Sequence, residues 1–328
     1  MKKLFLGVLM CVFAAACGNS DKDSFKQARL ATSQGELTEA IELYTRAIKQ
    51  NPNNFAAYLN RGVLWERLPV KDAKERKKNR QRAEQDYLKA MDLNANGAEA
   101  YNNLGALYID MGRYLDASDM LSSALMLEPR YFTARMNRAI AYYRLGRTIE
   151  ALDDFNKAAR LRPRNELLLL NRALAFYDMG QYENAVEDLT YLLALNPSDA
   201  RAYLERARSF IKMDYPAEAY ADLEQAITLK PSYALPYYYM GDLLFRKGET
   251  DAALGMLARA KELSNQYAPT YELMGDMLSV EDPVSATANY MVALKLDPAH
   301  ARRYEAKIRL MKSEEGRSRV LANRFFPR

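Results

Sequence analysis

The sequence predicts an all-α chain, an α-solenoid of about eight helix-turn-helix repeats closed by a C-terminal capping helix. Three observations predict it. Pro129, Pro163, Pro197 and Pro231 lie 34 residues apart, and an alanine stands twelve residues before each, at Ala117, Ala151, Ala185 and Ala219. The same offset links Ala40 to Pro52 and Ala286 to Pro298, and four residues after each alanine comes an aromatic residue or leucine: Tyr44, Leu121, Phe155, Leu189, Leu223, Tyr290. A small residue stands twelve before the alanine, at Gly105, Ala139, Ala173, Ala207 and Gly241. Self-similarity at such a period marks an array whose units bury their apolar faces only by stacking.

In chain order, Lys2 and Lys3 precede thirteen apolar or small residues, Leu4 to Ala16. That run suits the apolar core of a cleaved leader and is too short to cross a bilayer. The stretch Phe13-Ala14-Ala15-Ala16-Cys17 resembles a bacterial lipoprotein signal, although Ala14 stands where that family usually has leucine. The resemblance implies cleavage after residue 16, acylation (palmitate) at Cys17, and anchoring in the bacterial outer membrane through a polar tether, 17–23. It leaves open whether the periplasmic or the surface side is occupied. Both cysteines, Cys11 and Cys17, fall in this segment, so the body beyond it has no disulfide.

The array is expected over 24–300, with repeats beginning near 21, 55, 98, 132, 166, 200, 234 and 268, and a capping helix and tail over 301–328. Gly112, Gly146, Gly180 and Gly248 mark the turns between first and second helices. Repeat two carries about nine extra residues, within a basic stretch (67–85) holding eight Lys/Arg against three acids, and Asp72 is placed to cap a second helix lengthened by over two turns. That stretch reads as a solvated spur or as a basic prong for lipid headgroups or an acidic partner. The tail carries Phe325 and Phe326, which could dock on a partner or fold into the end of the array. The whole pattern resembles the tetratricopeptide repeat (TPR) family. The resemblance implies paired antiparallel helices, a right-handed superhelix, and a concave groove lined by positions two, five, six, nine and twelve of each first helix.

Comparing repeats within the chain exposes a second regularity. Position seven is Arg61, Arg138, Arg172 and Arg206 in repeats two, four, five and six, and position 23 in the same repeats is Asp86, Asp154, Asp188 and Asp222. In the other four, position seven is Gln27, Leu104, Met240 or Met274, opposite Leu43, Met120, Met256 or Asn289. Charged meets charged and uncharged meets uncharged throughout. A guanidinium satisfies a carboxylate bidentately where water is excluded, and leaving either partner alone is costly, so the expectation is a structural ion pair within each hairpin.

Position six is asparagine in four successive repeats: Asn60, Asn103, Asn137 and Asn171. An amide donates and accepts together, and family members with such a row resemble peptide-binding clamps that hold an extended backbone. Further groove positions are Tyr143, Leu170, Leu174, Tyr177, Leu204, Tyr238 and Phe245, with Arg201 and Arg208 as a basic step and Asp242, Glu272 and Asp276 as an acidic one. Met136 and Ile140 occupy places where chaperone-tail clamps of the family want polar groups, which argues against that ligand.

Composition excludes much chemistry. The single histidine, His300, cannot supply a Ser-His-Asp triad or a histidine metal site, and no phosphate-binding glycine loop occurs. Removal of the two leader lysines leaves a charge too mild to imply nucleic acid. No enzyme, cofactor or metal is expected. The expected function is a lipid-anchored scaffold or adaptor that binds a protein or extended peptide in its groove during assembly, secretion or maintenance of the bacterial envelope. The alternative is a surface lipoprotein that captures a substrate or glycan beside an outer-membrane transporter. Glycans favour exposed tryptophan, and the only one, Trp65, sits at an expected core position.

Overall fold

The computed structural model describes residues 22–313 with Gly316 and Ser318. The leader, Cys17, most of the tether, and the tail with Phe325 and Phe326 lie outside the described residues. The chain divides into two compact units, Met1–Met179 and Gly180–Arg328. Among the described residues every element is helical. The first unit holds α1 (Lys22–Gln34), α2 (Leu37–Gln50), α3 (Phe55–Arg67), α4 (Ala73–Leu93), α5 (Ala98–Asp110), α6 (Tyr114–Leu127), α7 (Phe132–Arg144), α8 (Thr148–Leu161) and α9 (Glu166–Asp178). The second holds α10 (Tyr182–Leu195), α11 (Ala200–Lys212), α12 (Pro216–Leu229), α13 (Ala234–Lys247), α14 (Thr250–Leu263), α15 (Ala268–Leu278), α16 (Pro283–Leu296), a 3-10 turn (Pro298–His300) and α17 (Ala301–Lys312).

Local chemistry sets the helix ends. Asn54, Asp72, Asn165 and Asp199 cap α3, α4, α9 and α11, each accepting from backbone N–H groups in the first turn. Between α11 and α12 the left-handed turn residue is Asp214 at φ 60°, where other hairpins use glycine, such as Gly112 at φ 77°. The second helix of repeat two, α4, has 21 residues against 14 for α6, an extension of about two turns rather than more.

Each hairpin closes on the small residue of its first helix. A Cβ added at Gly62 would fall 2.6 Å from the Tyr87 ring, one at Gly105 2.5 Å from Leu121, and one at Gly275 2.5 Å from the Tyr290 ring. No larger side chain fits without separating the helices. Tyr87, Leu121 and Tyr290 are themselves buried, so the aromatic or leucine of the second helix covers the glycine of the first.

The expected ion pairs form within three hairpins. Arg61 donates from Nε and Nη2 to both oxygens of Asp86 at 2.9 and 2.7 Å. Arg138 does so to Asp154 at 2.7 and 3.0 Å, and Arg206 to Asp222 at 2.8 and 2.7 Å. All three carboxylates are buried. Burial raises the Asp86 carboxyl and Arg61 opposes it, while the hydrogen-bonded Asp222 raises the Arg206 guanidinium. The remaining two, Arg172 and Asp188, belong to different units, and their pairing rests on the repeat pattern.

Each arginine also has a third partner that the pairwise pattern did not disclose. Nη1 donates to a polar side chain sixteen residues earlier, on the second helix of the preceding repeat: Arg61 to Thr45 (2.9 Å), Arg138 to Ser122, Arg172 to Asn156 and Arg206 to Thr190 (3.1 Å each). One guanidinium therefore joins its own hairpin to the one before it. Leu88, Glu224 and Ala258 stand at that offset from Leu104, Met240 and Met274, so the column is polar and uncharged only where an arginine follows.

An Arg206→Met variant strands the buried Asp222 carboxylate and is expected to lose about 3 kcal/mol of stability. Adding Asp222→Met reproduces the Met240–Met256 arrangement of the next repeat and should recover most of it. A urea-denaturation double-mutant cycle reads the coupling, and additive losses would contradict the pair.

Candidate functional site

In the first unit the asparagine row of the first helices is closed. The four asparagines, expected to present amides to a ligand, are only 4% (Asn60), 3% (Asn103), 0% (Asn137) and 2% (Asn171) exposed. Asn137 Nδ2 donates to Asn102 Oδ1 at 3.2 Å, and Asn102 Nδ2 donates to Asn103 Oδ1 at 3.1 Å. Asn171 Nδ2 donates to the Leu167 carbonyl at 2.7 Å. The expected ligand row is thus corrected to buried structural amides: those of Asn103, Asn137 and Asn171 bond to a neighbouring amide or to the backbone, while Asn60 Nδ2 is buried without a partner among the described residues. Asn102, at position five, completes the relay between α5 and α7 and was not singled out in the sequence. Leu170 and Leu174 are likewise buried rather than groove-lining, as are Met136 and Ile140. Tyr143 and Tyr177 are half-buried, and Tyr143 donates to Asp178, tying α7 to α9.

The second unit is different. Leu204 is buried, but Arg201, Arg208, Tyr238, Tyr239 and Phe245 on α11 and α13 are half-buried, and Lys212 is exposed. Tyr238 packs edge-on against Tyr239 and Tyr267, with ring centroids 5.1 Å apart in each case. The Arg208 guanidinium lies 5.8 Å from the Tyr239 ring centroid and pairs with Glu205. Beside this face, Ile211, Tyr220, Leu243 and Leu244 line a mainly apolar cavity of about 610 Å³, with Asp214, Arg246 and Lys247 also on its wall. The aromatic rings supply large contact area with few rotors to freeze, and the cations fix orientation.

The expected acidic step is corrected. Glu272 accepts from Arg303 (2.6 Å) and Lys307 (2.7 Å), and Asp276 accepts from Lys307 at 2.6 Å, so two cations of α17 neutralise it. Asp242 pairs with Arg246 at 2.8 Å. The capping helix therefore docks on α15 by charge as well as by its buried Tyr304.

At the base of the repeat-two spur, Trp65 is half-buried under the Arg82 guanidinium, 4.5 Å from the ring centroid, and offers no open platform for a sugar. Glu66 accepts from the Tyr87 hydroxyl. Burial is the main cause that raises its carboxyl to about 7, with Asp110 adding to the rise while Tyr87 and Arg80 oppose it.

Paired helices closed on small residues, with a partly open aromatic and cationic face, define a repeat scaffold for protein–protein interaction. Family models agree: "TPR repeat" matches residues 28–68, and "Tetratricopeptide repeat" matches 86–117, 103–166 and 170–234. The chain belongs to the tetratricopeptide repeat family.

Among solved structures, a tetratricopeptide repeat protein from Parabacteroides merdae is similar at 23% identity and TM-score 0.57, covering 78% of this chain and 98% of that one. Pseudomonas aeruginosa pilF is similar at 23% identity and TM-score 0.55, covering 64% and 97%. YrrB, described as a TPR protein with an unusual peptide-binding site, is similar at 21% identity and TM-score 0.50, covering 59% and 95%. These likenesses concern the fold. Among curated proteins, human protein O-mannosyl-transferase TMTC3 is 31% identical over 114 residues, which is 34% of this chain but only 11% of that protein.

A carboxyl whose pKa is raised by folding binds its proton more tightly in the native state, so its contribution to stability falls as pH rises from about 4.5 to about 7. Glu66→Gln removes that loss. The variant should gain about 2 kcal/mol relative to wild type at pH 8 and little at pH 4. Urea unfolding at the two pH values measures it, and parallel curves would refute the assignment.

Proposed function

We propose that this TPR protein is a lipid-anchored scaffold of the bacterial envelope, acylated at Cys17 in the outer membrane. It holds a protein partner, or an extended peptide of one, against the first-helix face of α11 and α13 during assembly, secretion or maintenance of the envelope. The observation that carries the partner site is the half-buried cluster of Tyr238, Tyr239 and Phe245 beside Arg201 and Arg208, next to the apolar cavity. Aromatic residues and arginine dominate binding energy at interfaces, and here they sit on one face while the amides of the first unit are closed. The peptide-binding site described for YrrB supports the view that this fold can take such a ligand. The lipoprotein-like stretch ending at Cys17 supports the anchor.

A photo-reactive residue placed at Tyr239 or Phe245 should crosslink to the same partner in envelope preparations, while one at exposed Leu115 on α6 should not. Arg208→Glu should weaken the crosslink at least fivefold. Equal labelling from Leu115 would refute the face.

The anchor is tested separately. Cys17→Ser should abolish incorporation of labelled palmitate into the protein. Undiminished labelling of the variant contradicts acylation at Cys17.

A further inference from the structure

The repeat-two spur departs from the 34-residue period, and nothing in the partner face uses it. Its charges divide by residue type. The arginines are engaged internally: Arg76 donates to the Val70 carbonyl, Arg80 pairs with Asp110, and Arg82 pairs with Glu75 and covers Trp65. The nearby acids are engaged as well. Asp72 caps α4 through the Lys74 and Glu75 N–H groups, and Glu84 accepts from Arg113 and Tyr108. Lys71, Lys74, Lys77 and Lys78 are all exposed, and among the described residues no carboxylate forms an ion pair with them.

On α4 the spacing of Lys74, Lys77 and Lys78 places them on one side of the helix. Gln81 and Gln85 continue that side, exposed and without a carboxylate. In the loop before α4, Leu68 packs on the core of the first repeats, and exposed Pro69 and half-buried Val70 lead to Lys71. We propose that this lysine stripe is an electrostatic docking surface for anionic phospholipid headgroups. Lysine is a compact, hydrated point charge without the planar geometry that selects a fixed carboxylate or phosphate, and it suits a fluid field of headgroups. The stripe lies on the lengthened N-terminal part of α4, and no aromatic residue stands in 71–85 for a peptide or a base to stack on.

This surface goes beyond the partner face and does not depend on acylation. If Cys17 is acylated, the spur supplies the polybasic second contact that strengthens a lipid anchor.

The chain from residue 18 onward is the test protein, so neither the apolar leader nor an acylated Cys17 can supply the binding. It is titrated with vesicles of phosphatidylcholine alone, or with roughly one third phosphatidylglycerol. Binding should require phosphatidylglycerol and fade in high salt. Replacing Lys71, Lys74, Lys77 and Lys78 by glutamine should weaken it at least tenfold, and replacement by arginine should retain it. Circular dichroism melting should be the same for all forms, because these side chains carry no fold contact. Equal binding by the glutamine variant would overturn the proposal, as would tighter binding to oligoglutamate or duplex DNA than to the anionic vesicles.

Discussion

The structure depends on one close approach, the contact of a glycine or alanine on the first helix of a hairpin with a large side chain on the second. At Gly62, Gly105 and Gly275 there is no room for even a methyl group beside Tyr87, Leu121 and Tyr290. That approach brings position seven and position 23 within hydrogen-bonding reach and excludes water between them. It thereby creates the setting in which a lone charge is intolerable and a matched pair is stable. The same packing repeated along the chain buries apolar faces that no single hairpin could bury alone.

Within that frame the arginines have two duties. In Arg61, Arg138 and Arg206 two guanidinium nitrogens hold the aspartate of the same hairpin, and the third holds a threonine or serine of the hairpin before it. The residue therefore sets the seating of one repeat on the next as well as closing its own. Where position seven is Leu104, Met240 or Met274, dispersion and apolar burial replace the network, and the polar column upstream becomes Leu88, Glu224 or Ala258. At these two positions charged residues stand opposite charged ones and uncharged opposite uncharged, as the cost of a lone buried charge requires.

This packing relaxes in two places. In the first unit the amides of Asn102, Asn103 and Asn137 bond to one another across neighbouring helices, and that row is closed. In the second, rings and guanidinium groups on α11 and α13 remain half-open beside a cavity, while α17 neutralises the acids of α15. The other relaxation is the insertion before α4, where engaged arginines secure the spur to the body and leave lysines to the solvent.

The sequence by itself determined the all-α class, the 34-residue unit, the glycine turns and the Arg–Asp partners of three hairpins, because each follows from periodic spacing and from chemistry within one hairpin. It also showed that Asp72 would cap a lengthened α4. Only the tertiary structure decided what lies between repeats: that Asn60, Asn103, Asn137 and Asn171 are buried, that Leu170, Leu174 and Leu204 are core, that Arg303 and Lys307 cover Glu272 and Asp276, and that each arginine reaches back sixteen residues. Position six in a helix has the same spacing whether it faces a ligand or a neighbouring helix. The distance between adjacent first helices separates the two cases, and that distance is set by packing, which no single repeat's pattern contains.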